Sequence, residues 1–435
     1  MKKTLLSAAA FAVVAVSAVS IAPTTSEAIP AFARQTGAAC LSCHFQTFPA
    51  LNSFGRAFKL GAFTDVGEEA LIEDDNLSLP AVLNLGMVLR PAYQKNKTIN
   101  KNNNQIQTTS AFSMPTDSNI LLAGRVGSNT GAFVEFNAGA GNFQLMNSVD
   151  FDTFQAGLNF SGTGFGPTAA LELTSVYGQH AGKLAGGDVS AIDNIIVLGA
   201  NGNNVTGQTS IAAWASNGMF TLQVAAVVPQ ANVANNTAIA NGMNGTGGVT
   251  NNSFVPMVAL TYDGELAGFN TVVELGTMNG TAVARVANAA GTALLTNPVP
   301  SNVQATWVAA QAQGEMGDMS LGIYGDYVTT KTNNGNKMNL YSAGNGKVDG
   351  YSLRAEIEPI DQFLFGAGFG SIRDTAANGL IAQRTNIIHF AATYEIYQNM
   401  EFTISNTRKK ASATTVAAND SIKDDNLRVE LLAVF

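Results

Sequence analysis

The sequence predicts a mainly β protein: a transmembrane antiparallel β-barrel of about 16 strands, preceded by a small N-terminal α-helical segment. Charged residues make up only 12% of the 435-residue chain, about half the usual share of a soluble domain. No run of about twenty apolar residues that would suit a membrane helix follows the N-terminal region. Apolar residues instead alternate with small or polar ones in stretches long enough to cross a bilayer as strands.

The N-terminus resembles a secretory signal peptide. Lys2 and Lys3 precede an apolar run over residues 5–19, and Ser26-Glu27-Ala28 offers a cleavage site with small residues at its outer positions. A membrane anchor is the alternative, but the apolar run is too short to span a bilayer comfortably. We therefore predict that residues 1-28 are a signal peptide and that the mature protein is exported.

The charge balance bears on the partners of the mature protein. Removing the signal peptide takes away two of the 23 basic and one of the 31 acidic residues, which leaves a formal charge of about −9. An acidic chain without a basic stripe argues against nucleic acid as a partner.

A C-x-x-C-H motif, Cys40-Leu41-Ser42-Cys43-His44, contains both cysteines of the chain. Two thiols with two residues between them can bond to both vinyl groups of one haem, while the adjacent imidazole binds the iron from one side. A thioredoxin-like redox pair would need a βαβ unit around the motif, and a simple disulfide would leave His44 unexplained. We therefore predict one covalently attached haem c, with Cys40 and Cys43 as attachment points and His44 as the proximal iron ligand.

The residues around this motif, 29-76, predict a small helical cytochrome segment. Pro49 suits the first position of a helix. Leu51, Phe54 and Phe58 then recur at helical spacing, so one apolar face could cover the porphyrin edge.

The second axial ligand of the haem iron is not evident near the motif, because residues 29–86 contain no methionine and no other histidine. The iron is either five-coordinate or takes a ligand from elsewhere. The candidates are His180, His389, a distant methionine and the new α-amino group of Ile29. The choice matters because axial ligands set the reduction potential.

The two later histidines differ in their predicted surroundings. Alternation over residues 387–397 puts Ile388 and Phe390 on the apolar outer face, so His389 points into the lumen. A plain lumen-lining role for His389 is the favoured interpretation, and ligation of the iron is the alternative. His180 follows a predicted strand over residues 171–177 and is expected in a loop.

The barrel is predicted to occupy residues 77-435. Every odd-numbered residue from 77 to 89 is apolar, whereas most even-numbered residues there are small or polar, which predicts one membrane-crossing strand. Residues 427–435 repeat the alternation and end on Phe435. This ending resembles the C-terminal strand by which outer-membrane barrels are recognised for insertion.

Short and long connections alternate between these two ends. Asn217-Gly218, Asp263-Gly264 and Gln398-Asn399 predict tight hairpin turns. The polar stretches 95–110, 230–253 and 408–421 predict long loops. In outer-membrane barrels the short turns are periplasmic and the long loops extracellular.

The number of strands follows from the length of the barrel region. Its roughly 360 residues, at about 20 to 24 residues per strand with its loop, give 14 to 18 strands, with about 16 preferred. A soluble β-sandwich or solenoid is the alternative, but it does not explain the apolar face of residues 77–89 or the terminal Phe435.

Two further patterns carry weaker signals. Gly366-x-Gly368-x-Gly370 lies inside a strand pattern and opens no helix, so we do not predict a phosphate site there. An acidic cluster between the haem segment and the barrel is expected to be a solvated linker; the alternative is that it attracts Fe²⁺ or a basic electron carrier. This cluster comprises Glu68, Glu69, Glu73, Asp74 and Asp75.

The N-terminal residues resemble the fused monohaem cytochrome–porins of bacterial outer membranes, whose best-known members are outer-membrane iron oxidases. The resemblance covers about 35 residues and rests on three runs: Pro30-Ala31-Phe32-Ala33-Arg34-Gln35-Thr36-Gly37, Cys40-x-x-Cys43-His44, and Phe48-Pro49-Ala50-Leu51-Asn52-Ser53-Phe54-Gly55. It implies a haem segment that enters a barrel of about 16 strands from the periplasmic side of the outer membrane.

The same resemblance implies a function. Single electrons would pass from an extracellular donor, with Fe(II) favoured, through the haem to a periplasmic electron-carrier cytochrome. Two other classes stay open. One is a porin-type channel in which the haem is a structural plug or a sensor, and the other is a general electron conduit without preference for Fe(II).

Overall fold

The computed structural model describes most of the chain after residue 30, and the predicted signal peptide lies outside the described residues. Among these residues, no helix is long and apolar enough to cross a membrane. The described ranges are 31–67, 70–75, 77–100, 104–113, 118–137, 140–162, 171–181, 189–197, 205–231, 250–251, 254–285, 299–331, 338–342, 346–375, 382–414 and 419–435.

The described helices are short and precede or interrupt the strands. They are α1 (Ala31–Thr36), α2 (Cys40–Cys43) and α3 (Ser53–Leu60), with a 3₁₀ turn at Gly178–His180 and a π-helical turn at Asp193–Val197. In chain order the strands are β1 (Leu71–Asp74), β2 (Leu77–Pro80), β3 (Leu85–Leu89), β4 (Ala92–Asn100), β5 (Gln105–Ser113), β6 (Asn119–Gly127), β7 (Thr130–Asn137), β8 (Ala140–Asn147), β9 (Val149–Asp150), β10 (Gln155–Gly162), β11 (Val205–Ser216), β12 (Phe220–Ala231), β13 (Thr250–Asn251), β14 (Val255–Leu266), β15 (Phe269–Arg285), β16 (Val299–Met316), β17 (Met319–Thr330), β18 (Met338–Asn339), β19 (Val348–Ile360), β20 (Phe363–Asp374), β21 (Ala382–Tyr397), β22 (Met400–Thr414) and β23 (Asn419–Val434).

The sheet formed by β3 to β23 closes into an antiparallel barrel of 16 strands, as predicted. Several short strands are consecutive parts of one barrel strand: β3 with β4, β5 with β6, β8 with β9 and β13 with β14. The strand formed by β3 and β4 is interrupted at Arg90-Pro91, because proline has no N–H group to donate to the hydrogen bonds between strands. The last strand, β23, closes the barrel by pairing with both β3 and β4.

Side chains alternate between the lumen and the membrane-facing surface, which confirms the barrel pattern. On β21, His389 is buried inside, whereas Ile388 and Phe390 are exposed outside by 41% and 55%. At the end of the chain, Leu432 and Val434 point inward. The N–H of Phe435 donates to the carbonyl of Met87 at 2.9 Å.

The single strand predicted over residues 77–89 is wrong. β2 pairs with β1 in a separate two-stranded hairpin, and the barrel begins only at Leu85. The hairpin is tied to the barrel wall by Arg125 of β6, whose Nε donates to Ser78 Oγ at 3.0 Å. Alternation of apolar and polar residues suits either kind of strand, so it could not distinguish a hairpin beside the barrel from a strand within it.

The predicted turns are partly confirmed. Asn217-Gly218 and Gln398-Asn399 do connect neighbouring strands, with Gly218 at φ 88°. Asp263-Gly264 instead lies within β14, and the turn falls at Ala267-Gly268, where φ is 53° and 82°. A Cβ atom at residue 264 would lie 2.4 Å from the hydroxyl oxygen of Tyr262. Gly264 therefore makes room for the tyrosine ring and does not form the turn.

Two of the predicted loops are mostly strand. Residues 95–110 form parts of β4 and β5, paired up to Asn100 and Gln105, and residues 408–421 form parts of β22 and β23. All nine residues of β5 are exposed. Because both faces of this extended ribbon are in water, polar residues lie on both of its sides, as they do in a loop. Most of the third predicted loop, 230–253, lies outside the described residues.

The connection between β10 and β11 turns into the barrel. We call its described residues, 171–181 and 189–197, the inner loop. The strand predicted over residues 171–177 is wrong, since these residues form an irregular, buried segment. Ile192, Ile195 and Ile196 are fully buried in an apolar core with inward-facing residues of the barrel wall such as Trp307.

The barrel wall is shaped to receive the inner loop. Asp326 of β17 accepts hydrogen bonds from Ser190 Oγ at 2.6 Å and from the N–H groups of Ala191 and Ile192 at 3.1 and 3.0 Å. A Cβ atom at Gly370 would lie 2.4 Å from the carbonyl oxygen of Val189. The glycine pattern of β20 therefore provides close packing at this position.

Candidate haem site in the barrel lumen

The segment that carries the C-x-x-C-H motif lies inside the barrel mouth on the side of the short turns. Gln46 Nε2 donates to Ser320 Oγ at 2.8 Å, and Arg56 reaches Asp263. Ser320 and Asp263 lie close in sequence to the short turns at Asp318 and Ala267. In outer-membrane barrels the mouth with the short turns is usually the periplasmic one.

Arg56 is the main ionic anchor of the segment. Its Nε and Nη2 form a two-pronged contact with the carboxylate of Asp263, at 2.6 and 3.0 Å. Arg56 is 1% exposed and Asp263 22%. Nη1 also donates to the carbonyl of Leu51 at 2.9 Å, so the same side chain orients the turn that follows the motif.

Gln35 and an aromatic cluster hold the other side of the segment. The amide of Gln35 donates to the carbonyls of Phe63 and Asp65 at 2.7 and 2.6 Å, and its oxygen accepts from the N–H of Arg125 on the barrel wall at 2.9 Å. Phe32 stacks on Phe63, with ring centroids 4.9 Å apart. Because the hydrogen bonds of the buried Gln35 side chain are satisfied only in this arrangement, they fix the position of the segment relative to the barrel wall.

Helix α3 begins later than predicted. It starts at Ser53 rather than at Pro49, because His44 and Leu51 form a β-bridge that keeps the chain extended up to residue 51. Asn52 caps the helix by accepting from the N–H of Gly55 at 2.9 Å, and it donates to the carbonyl of Ser42 at 3.0 Å. The cap therefore ties α3 to the motif helix α2.

The geometry of the motif suits an attached haem. Both thiols are free and partly buried. His44 Nδ1 lies 3.3 Å from the carbonyl oxygen of Ala50. A carbonyl at Nδ1 is the usual partner of a metal-binding histidine, and it directs Nε2 toward the metal.

The electrostatics of the thiols differ from those of a redox pair. Burial raises the pKa of Cys40, and the carboxylates of Glu395 and Glu401 raise it further. Burial also raises the pKa of Cys43, with Cys40 and Asp65 adding to the effect. Reactive C-x-x-C pairs have lowered thiol pKa values. The raised pKa values therefore argue against a reactive thiol–disulfide pair at this motif.

Apolar surface next to the motif is exposed within the lumen. Leu41 is 37% and Phe54 50% exposed, while the ring of Phe48 lies edge-on to His44 at 5.2 Å. A porphyrin is a large apolar plate, and covering such surface stabilises it by about 25 cal/mol per Å². The residues present thus fit a haem held by Cys40, Cys43 and His44.

The two other histidines lie in different places. His180 is half-buried and packs against the haem segment, with Nε2 3.1 Å from Nζ of Lys59 in α3. His389 faces the lumen on β21, as predicted, and its Nδ1 lies 2.8 Å from Thr407 Oγ1. The position of His180 was not predictable, because the inner loop contains no periodic pattern that reveals its path into the lumen.

A polar cavity lies higher in the barrel. Its volume is about 390 Å³, and it borders Thr407, the partner of His389. The register of β23 places its lining on the inner face of the wall, toward the long-loop end. The lining residues are Asn96, Thr98, Gln107, Thr109, Thr407, Lys409, Asp424 and Asn426.

The acidic cluster is only partly described. Glu73, Asp74 and Asp75 are exposed on the β1–β2 hairpin, and Ser78 Oγ donates to Glu73 at 3.2 Å. Glu68 and Glu69 lie outside the described residues. Within the described part of the chain, no group of three or more His, Cys, Asp or Glu side chains could hold a metal ion.

Comparison with known proteins concerns the fold. No protein-family model and no curated protein matches the sequence. An anion-selective porin from Comamonas acidovorans has a similar structure, with 13% identity, 81% of this chain and 99% of that chain covered, and a TM-score of 0.49. The outer membrane channel DcaP of Acinetobacter baumannii has 10% identity to this chain, with 81% of this chain and 97% of that chain covered and a TM-score of 0.48. The outer-membrane expressed OmpT of Vibrio cholerae has 11% identity to this chain, with 84% of this chain and 100% of that chain covered and a TM-score of 0.46.

The closed barrel itself defines the class. Sixteen antiparallel strands with apolar side chains outside form the architecture of an outer-membrane porin. In this chain, a C-x-x-C-H segment occupies the mouth of that barrel on the side of the short turns, and the inner loop packs against it.

Proposed function

We propose that this protein is an outer-membrane electron-transfer protein that takes single electrons from an extracellular donor, with Fe(II) favoured, and delivers them to a periplasmic carrier. The observation that carries the proposal is the C-x-x-C-H segment built into the barrel lumen by buried contacts such as Arg56–Asp263. A haem attached at Cys40 and Cys43, with His44 as proximal ligand, would supply a one-electron couple. This agrees with the resemblance to fused cytochrome–porins.

The residues of the chain perform three tasks in this proposal. Arg56 and Gln35 fix the segment against the barrel wall, so that the motif has one position relative to the membrane. Ala50 orients the imidazole of His44 through Nδ1. The apolar surface of Leu41 and Phe54 keeps water from the attachment site once it is covered.

The lumen favours electron transfer over free diffusion. The fully buried isoleucines of the inner loop form an apolar core with inward residues from β11 to β21. Polar solutes do not cross packed apolar side chains, since these exclude water. The polar cavity between β4, β5, β22 and β23 lies on the opposite side of the lumen and offers a small hydrated donor an approach from outside.

The test is reduction of the attached haem by Fe²⁺. Haem-loaded protein is purified, oxidised and mixed anaerobically with Fe²⁺, and the reduced-haem spectrum is recorded before and after adding an oxidised, basic periplasmic-type cytochrome. We expect one Fe²⁺ to be oxidised to Fe³⁺ for each haem reduced, followed by reoxidation by the cytochrome. A Cys40→Ser, Cys43→Ser double variant is the control and should show neither step.

Two results would contradict this proposal. If dithionite reduces the haem but Fe²⁺ does not, Fe(II) is not the donor. Equal rates with many unrelated reductants would instead support a general conduit without preference for Fe(II).

The second candidate is a porin-type channel whose haem is a structural plug or sensor. The porin architecture and the polar cavity of about 390 Å³ favour it. Solute flux through reconstituted protein discriminates between the two functions. Flux that is substantial and unchanged by haem reduction would support a channel with a structural plug, whereas flux that changes with haem reduction would support a sensor.

A further inference from the structure

The inner loop brings one histidine to the haem segment. The N–H of Leu51 donates to Ser175 Oγ at 3.0 Å, which joins the loop to the turn after the motif. Five residues later, His180 Nε2 lies 3.1 Å from Lys59 Nζ. Lys59 is buried and His180 is half-buried in this contact, so His180 packs on the haem segment despite its distance in sequence.

The surroundings of His180 place it near His44 and keep its ring neutral. Burial, Lys59 and His44 lower the pKa of His180 well below its ordinary value, and the backbone of Pro49 opposes them. The backbone gives geometric evidence of this proximity, because Leu51, which donates to Ser175 of the inner loop, also forms a β-bridge with His44. A neutral imidazole is the form that binds iron.

His389 is farther from the motif. It lies six residues from Glu395 along β21, and Glu395 is one of the carboxylates that act on Cys40. At about 3.4 Å per residue, this separation is roughly 20 Å along the strand. The side chain of His389 is engaged instead with Thr407 beside the polar cavity.

We propose that His180 is the second axial ligand of the haem iron, bound through Nε2, so that the inner loop completes the site begun by His44. This inference rests on the proposed haem attachment at Cys40 and Cys43. In the holoprotein, the Lys59 ammonium leaves Nε2 and keeps Glu172, whose charge already acts on it, as its partner. The haem would then join the segment to the inner loop.

The ligand set has a measurable consequence. Two imidazoles give low-spin iron with a lower reduction potential than one imidazole and one thioether, because the thioether raises the potential. A His180→Met variant should therefore stay low-spin with a more positive potential. The same substitution at residue 389 should leave the potential unchanged.

The experiment compares His180→Ala, His389→Ala and Lys59→Met in full-length, haem-loaded protein. Haem stoichiometry is measured first by denaturing haemochrome spectra, and barrel folding by heat-modifiable electrophoretic mobility. Low-temperature electron paramagnetic resonance and resonance Raman spectra then give the spin state and the axial ligands.

We expect His180→Ala to lose the low-spin signal and to regain it on adding imidazole. His389→Ala and Lys59→Met should retain the wild-type spectrum. A high-spin wild type, a low-spin His180→Ala protein without added imidazole, or loss of the low-spin signal in Lys59→Met or His389→Ala would each overturn the proposal. Absence of attached haem in the wild type would instead contradict the proposed function.

Discussion

Replacing Asp326 by alanine tests whether one barrel carboxylate holds the inner loop in the lumen. The wild-type side chain accepts from Ser190 Oγ and from the N–H groups of Ala191 and Ile192. It also accepts from Ser352 of the neighbouring strand. Alanine removes all four acceptor contacts and leaves the donors of the loop buried.

The expected magnitude follows from the three contacts to the loop. A hydrogen bond to a charged group contributes about 1.5–3 kcal/mol, but bonds in one network do not add. We therefore expect docking of the loop to weaken by about 3–4 kcal/mol in total, which corresponds to a roughly 100- to 1,000-fold larger undocked population. Burial of the loop isoleucines remains and should keep the loop mostly docked.

Hydrogen exchange measures this population directly, because amides that exchange through local opening report its free energy. Exchange of residues 189–197 should accelerate roughly 100- to 1,000-fold in Asp326→Ala. Ion conductance through reconstituted protein should rise as well. The matched control is Asp349→Ala on β19, whose carboxylate contacts the exposed Arg373 at 2.9 Å rather than the loop.

An unchanged exchange rate for residues 189–197 in a folded Asp326→Ala protein would refute the reasoning. It would mean that apolar packing alone holds the loop. Equal acceleration in Asp349→Ala would show a general loss of barrel stability instead.

Three further predictions concern the same interior. Asp263→Asn should weaken docking of the haem segment by about 2–3 kcal/mol, because it leaves the buried Arg56 charge without its carboxylate. The rate of protease cleavage within residues 31–67 measures this docking. The control is Arg408→Met, which breaks an ion pair with Asp425 whose side chains are 66% and 46% exposed, and it should have almost no effect. Burial raises the pKa of Asp193 from 3.8 to about 7, despite a hydrogen bond from Gly178, with Asp326 raising it and Arg354 lowering it. The stabilisation from this protonated carboxyl is complete below about pH 4 and has been lost once the pH has risen through 7. Inner-loop protection, corrected for intrinsic exchange, should therefore fall between about pH 4 and 7, and Asp193→Asn should flatten this profile. Gly370→Val should displace the loop and accelerate its exchange, since a Cβ would lie 2.4 Å from the carbonyl oxygen of Val189; an unchanged rate would contradict the close packing.

Local patterns predicted much of the barrel. Alternation has a period of two regardless of what surrounds a strand, so the inward direction of His389 and the outward direction of Phe435 followed from their positions in the sequence. The same pattern failed at residues 77–80, because a hairpin beside the barrel alternates as a barrel strand does. Polar ribbons beyond the membrane, such as β5, were mistaken for loops for a related reason: water on both faces leaves no alternation to detect.

The C-x-x-C-H motif that predicts the haem depends only on spacing along a few residues, and the sequence by itself determined the expected roles of Cys40, Cys43 and His44. Only the tertiary structure decided where this segment sits and what surrounds it. Its contacts with the inner loop and the barrel wall join residues 124 and 207 positions apart in the chain, Leu51–Ser175 and Arg56–Asp263. Such contacts depend on which surfaces fit together in the closed lumen, and no local spacing encodes that fit.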